Sequence, residues 1–132
     1  MMLKRIFYVE DDQDIQQLVQ LSLASLHGFE LTLASSGEEA LAMADDIEPQ
    51  MVLLDVMMPG MDGIALYNKL REKPAYQSLP IVFITAKVQQ HEVNHYQQLG
   101  SAGVIVKPFS PDELAGLINT FWERHSAMQS PK

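Results

Sequence analysis

The chain has 132 residues, room for one ordinary domain with a sizeable core, and 47% of them are hydrophobic, which excludes a disordered segment. A net charge of −8 argues against a surface for nucleic acid or anionic membrane, and the absence of cysteine excludes disulfides, thiolate metal sites and a cysteine nucleophile. No apolar run has the length of a secretory leader or a bilayer span, so a soluble cytoplasmic protein that meets neither nucleic acid nor membrane is expected.

In chain order, the first predicted strand is Ile6-Phe7-Tyr8-Val9, which runs directly into Glu10, Asp11 and Asp12. An apolar stripe follows at helical spacing: Ile15, Leu18, Val19, Leu23 and Leu26. A second strand, Leu31-Thr32-Leu33, leads into Ala34-Ser35-Ser36, where Ser36 and Glu39 form a capping-box pattern ahead of Ala40, Leu41 and Ala44. The third strand, Met51-Val52-Leu53-Leu54, ends in Asp55. A helix starting near Asp62 and carrying Ile64, Leu66 and Leu70 comes next. The fourth strand, Ile81-Val82-Phe83-Ile84, ends in Thr85, and a more polar helix spans Val88 to Leu99, stopped by Gly100. The fifth strand, Val104-Ile105-Val106, ends in Lys107. The last helix opens on Ser110 as N-cap, Pro111 and Glu113, then follows Leu114, Leu117, Ile118, Phe121 and Trp122. Residues 126–132 read as a short frayed tail behind a domain of residues 1–125.

Five strands alternating with five helices predict an α/β, doubly wound, five-stranded parallel sheet of flavodoxin-like order. Four of the five apolar runs lack polar interruption, as strands covered on both faces require. In such a sheet ligands bind beyond the carboxyl ends of the strands, so the residues that end each run carry the function. Here those residues are Glu10-Asp11-Asp12, Asp55, Thr85 and Lys107. Crowded carboxylates repel one another and favour a hard cation with oxygen ligands, and Mg²⁺ suits a site of one or two carboxylates plus phosphate oxygens. A carboxylate beside such an ion can act as nucleophile toward a phosphoryl group, with Asp11, Thr85 and Lys107 supplying metal, hydroxyl and ammonium contacts around it. Taken singly, each of these residues is ordinary; their convergence on one sheet edge is what carries the reading.

Four stretches together resemble the receiver domains of bacterial two-component response regulators, in their single-domain, chemotaxis-type form. They are Tyr8-Val9-Glu10-Asp11-Asp12, Leu53 through Gly63, Ile84-Thr85-Ala86-Lys87 and Gly103-Val104-Ile105-Val106-Lys107-Pro108-Phe109. The resemblance implies a phosphorelay switch that takes a phosphoryl group onto Asp55 from a histidine kinase or a histidine phosphotransfer protein, and signals to an output protein that the sequence does not name. It is not an enzyme on other substrates: it would catalyse only its own phosphorylation and dephosphorylation. Asp11 would bind Mg²⁺ directly, Glu10 would help through a water, and Met57 would offer its backbone carbonyl. Thr85 would bond a phosphoryl oxygen, Lys107 would pair with the phosphate, and the Lys107–Pro108 bond would be cis. Asp12, one residue beyond the usual pair, is left open between a cap of the first helix and a metal ligand ranked below Glu10. The family often carries an aromatic ring three residues before the lysine; here that position is Val104, read as a strand residue. The family also tunes the lifetime of its phosphate two residues beyond the acceptor and beyond the Thr. Met57 and Lys87 stand there and imply a long-lived phosphoryl state.

Two other readings compete. His91-Glu92-Val93-Asn94-His95 matches the H-E-x-x-H pattern of zinc metallopeptidases, but no His stands at the spacing of the longer motif, where Gln98 and Gly100 are found, and Glu113 is already used by its capping box. The neighbouring glutamines fit a solvated helix. A dehalogenase-like phosphohydrolase would want a second Asp two residues after Asp55, where Met57 stands.

Overall fold

The computed structural model describes residues 2–86 and 89–129. The chain alternates strand and helix throughout: β1 (Arg5–Val9), α1 (Gln13–Val19), β2 (Glu30–Ala34), α2 (Gly37–Met43), β3 (Met51–Asp55), α3 (Gly63–Arg71), β4 (Ile81–Thr85), α4 (Gln90–Gln98), β5 (Gly103–Val106) and α5 (Pro111–Gln129). All strand pairs are parallel, in the order β2-β1-β3-β4-β5. The predicted doubly wound sheet is therefore present, and its switch point falls between β1 and β3, whose neighbours lie on opposite sides.

The apolar strands separate two half-cores. Phe7, Val9, Val52, Leu54, Ile81 and Phe83 face α2, α3 and α4, whereas Ile6, Tyr8, Met51, Leu53, Val82 and Ile84 face α1 and α5. This is the period-2 alternation of a strand, and it explains why β3 and β4 are apolar at nearly every position: both of their faces are covered.

Helix starts follow the sequence signals closely. The Asp12 carboxylate accepts from the amides of Asp14 and Ile15, and Asp62 accepts from that of Ala65. Ser110 and Glu113 make the reciprocal capping box. At Ser36 the box is shifted: Ser36 Oγ accepts from the Glu39 amide, while Glu39 reaches back to the Ser35 amide instead of that of Ser36.

Two expectations are corrected. The first helix continues beyond Val19 as a π-wound segment, Gln20–Leu26. Its wider turn shifts each later side chain off the 3.6-residue stripe, so Leu23 is buried but Leu26 is 57% exposed. The last helix runs through Gln129, so residues 126–129 are helical where a frayed tail was expected; nothing between Glu123 and Gln129 breaks a helix. The fourth helix begins at Gln90, and the predicted start at Val88 lies outside the described residues.

Candidate functional site

The carboxyl ends of the strands bring the predicted residues to one place. Glu10 follows β1, and a carboxylate oxygen from each of Glu10, Asp11 and Asp55 lies within 4.8 Å of the others. Asp55, the last residue of β3, is buried, as is Thr85 at the end of β4. Lys107 follows β5, and its amide donates to the Thr85 carbonyl at 2.8 Å. Its side chain crosses the end of β4: the Nζ lies 3.1 Å from Asp55 Oδ1 and 3.1 Å from Glu10 Oε1. The Lys107–Pro108 peptide bond is cis, as the resemblance implied.

Electrostatics follow from burial. Glu10 has no exposed surface, and desolvation, reinforced by the hydrogen bond and repulsion from Asp55, pushes its carboxyl up to about 7 against the pull of Lys107. For Lys107 burial favours the neutral amine, but attraction to Glu10 and Asp55 outweighs it and holds the ammonium above its ordinary range. The three carboxyl groups offer only hard oxygen donors, and their mutual repulsion makes a compact divalent cation a fitting occupant. Asp12 stays outside this trio, committed to its cap. Met57 sits just beyond β3 with its side chain 59% exposed. Lys87 lies outside the described residues.

Two contributors carry no role in the sequence reading. Tyr8 shares a strand face with Glu10 and donates its hydroxyl to Glu10 Oε1 at 3.0 Å, while the Asp12 amide donates to Oε2 at 3.3 Å. Burial, together with the charge of Glu10, pushes the Tyr8 hydroxyl well above its usual range, so it remains a donor. The signal was a lone polar ring in an apolar strand, two residues before an acid. Gly63 is the second. A Cβ there would stand 2.3 Å from the Asp55 carbonyl oxygen, and the Gly63 amide donates to the Val56 carbonyl at 3.0 Å. The start of α3 thus presses on the backbone of Asp55, and only glycine permits that approach.

Val104 is half-buried and packs on the half-core that holds Tyr67, Phe83 and Tyr96. Those three rings pack in series in tilted pairs, with centroids 5.4 and 5.2 Å apart. The aromatic residues of this region therefore sit on α3, β4 and α4, and β5 supplies none.

His91 and His95 are exposed on α4, and among the described residues they join no group of three potential metal ligands. Glu113 caps α5. Nothing in the structure supports a zinc centre.

The sequence of residues 6–119 matches the response regulator receiver domain. The chain belongs to that family. It is 34% identical over 122 residues to response regulator Rre1 of Synechocystis, covering 92% of this chain and 53% of that protein. It is 35% identical to the alkaline phosphatase synthesis transcriptional regulatory protein PhoP of Bacillus subtilis, covering 92% and 49%. Among solved structures, chemotaxis response regulator CheY4 of Vibrio cholerae superposes with a TM-score of 0.84 at 28% identity, over 91% of this chain and 99% of that one. The chain thus spans about half the length of the curated relatives it matches and nearly all of the CheY4 chain. Some relatives are named DNA-binding response regulators, such as MtrA of Mycobacterium leprae, of which this chain covers 53%. The charge argument against nucleic acid therefore bears on this receiver's surface alone. No helix among the described residues is long and apolar enough to cross a membrane.

Proposed function

We propose that this receiver accepts a phosphoryl group on Asp55 from a phosphohistidine of a kinase or phosphotransfer protein, and that the phosphorylated and free forms present different surfaces to an output partner. One observation carries the reading: the Glu10, Asp11 and Asp55 carboxylates gather at one strand edge, with the Lys107 ammonium in contact with Glu10 and Asp55. In the transfer the P–N bond to the donor imidazole breaks as an Asp55 carboxylate oxygen forms the new P–O bond. Asp55 is held on the last residue of a buried strand, so its oxygen meets the phosphorus with little loss of orientation. Lys107 offers its ammonium to the charge spread over the phosphoryl oxygens, leaving its contact with Asp55 Oδ1 for them. The Thr85 hydroxyl, from the adjacent strand end, is the second donor assigned to those oxygens. Asp11, Asp55, Glu10 and the Met57 carbonyl would hold Mg²⁺, which when bound neutralises charge shared by the carboxylates and the transferring group.

The test is incubation with acetyl phosphate and Mg²⁺, followed by intact mass. One added phosphoryl group, labile to hydroxylamine, absent in Asp55→Asn and absent when EDTA replaces Mg²⁺, is the expected result. An unmodified protein, or equal modification of Asp55→Asn, would overturn the assignment.

A further inference from the structure

At the opposite edge of the sheet from Asp55, the amino-terminal ends of β4 and β5 open onto a second cleft, of about 360 Å³. That volume is at the small end of ligand sites. Its walls come from four places: Arg71 in the last turn of α3, Gln77 and Ser78 ahead of β4, Ser101 in the α4–β5 loop, and Arg124 with His125 on α5. No Asp or Glu lines it among the described residues, although the chain carries 17 acidic residues against 9 lysines and arginines. A wall with two guanidinium groups, an imidazole and no carboxylate is the reverse of the molecule's overall charge.

The donors are also unspent. Arg71 commits only Nη1, which donates to the carbonyls of Tyr76, Gln77 and Leu79, while its guanidinium lies over the Tyr67 ring at 4.9 Å. The fork is thereby fixed in place, and its Nε and Nη2 make no hydrogen bond among the described residues. Arg124 makes no ion pair there either. The Ser101 hydroxyl is buried yet has no hydrogen-bond partner. A buried polar atom without a partner calls for one, and a serine and two arginines in one cleft wall supply donor types suited to tetrahedral oxyanions.

We propose that this cleft binds a small, multiply charged oxyanion, a phosphate ester or pyrophosphate-like group, held by Arg71, Arg124, His125 and Ser101. Because Ser101 lies in the loop that joins α4 to β5, occupancy would brace that loop at the far end of the sheet from the phosphorylation site. A cation in the last turn of a helix also offsets its dipole, which is the rival account of Arg71. That account predicts a change in stability and none in anion affinity.

The test is titration of the ¹⁵N-labelled protein with inorganic pyrophosphate in EDTA at constant ionic strength, with citrate as a parallel arm. Saturable shifts are expected at the amides of Gly100, Ser101 and Ala102. They should persist in Asp55→Asn and weaken about tenfold in Arg124→Gln, the loss of one charge-assisted hydrogen bond. Tighter binding of pyrophosphate than of citrate identifies a phosphate ligand, and the reverse order overturns that choice. Loop amides that do not shift, or an Arg124→Gln protein that binds as tightly as its parent, overturn the site.

Discussion

Glu10 sits at full burial beside a second carboxylate, and the consequence is a dependence of stability on pH. In the metal-free protein its carboxyl is raised to about 7 from an ordinary 4.5. A raised acid favours folding in its neutral form, so its contribution is present below about 4.5 and is lost as pH rises through about 7. Relative to Glu10→Gln, which stays neutral, the parent should lose about 1–3 kcal/mol between about pH 5 and 8 in EDTA, read as urea midpoints. Parallel curves would refute this. Gly63 makes a steric claim. Gly63→Ala places a methyl against the Asp55 carbonyl with no flexible side chain to yield, so it should cost about 1–3 kcal/mol and slow phosphorylation by acetyl phosphate. Normal phosphorylation in a stable variant would show that α3 does not position Asp55. Met57 is exposed two residues past Asp55, and on the proposed function it shields the phosphate from water. Met57→Asn should therefore lose its phosphoryl group faster, in a timed hydrolysis followed by mass.

At the scale of elements, the longest helix shows how local signals and packing divide the work. The α5 N-terminus is fixed by Ser110 and Glu113, while Leu114, Ala115 and Ile118 anchor it to the sheet. Gly116 lies on its exposed side, and a Cβ there meets nothing within 4 Å. Gly116→Ala should accordingly stabilise the protein by about 0.5–1 kcal/mol, the opposite sign to Gly63→Ala, in the same urea series. The contrast also marks what was legible in sequence. The cap at Ser110, the helix start near Asp62 and the residues that end the strands, Asp55, Thr85 and Lys107, depend on local chemistry, so reading the chain found them. The π-winding after Val19 does not announce itself, because the apolar residues of the segment also fit an ordinary helix until tertiary contacts select among them. The constraint at Gly63 was equally hidden: it arises from the approach of a helix to a strand eight residues earlier, which spacing alone does not reveal.

For the whole molecule, buried charge gathers at the carboxyl ends of the strands. Three carboxylates share a space less than 5 Å across, and the Lys107 ammonium partly offsets them. A divalent cation that binds only the folded form should raise the unfolding temperature with its concentration, adding about 2.7 kcal/mol of stability at a hundredfold excess over Kd. Thermal melts with and without Mg²⁺ check this, and Asp11→Asn should abolish the increment. Equal increments in both proteins would place the cation elsewhere. The order of strands has a further effect on when the site comes into being. Asp55 is separated by 52 residues from Lys107, and Lys107 belongs to a strand that joins the sheet at its far edge, beyond β4. A nascent chain of ninety residues already contains Glu10, Asp11 and the proposed acceptor Asp55, but not Lys107. On the proposed assignment, the acceptor is therefore made well before its lysine partner, and the set is completed only after the last strand.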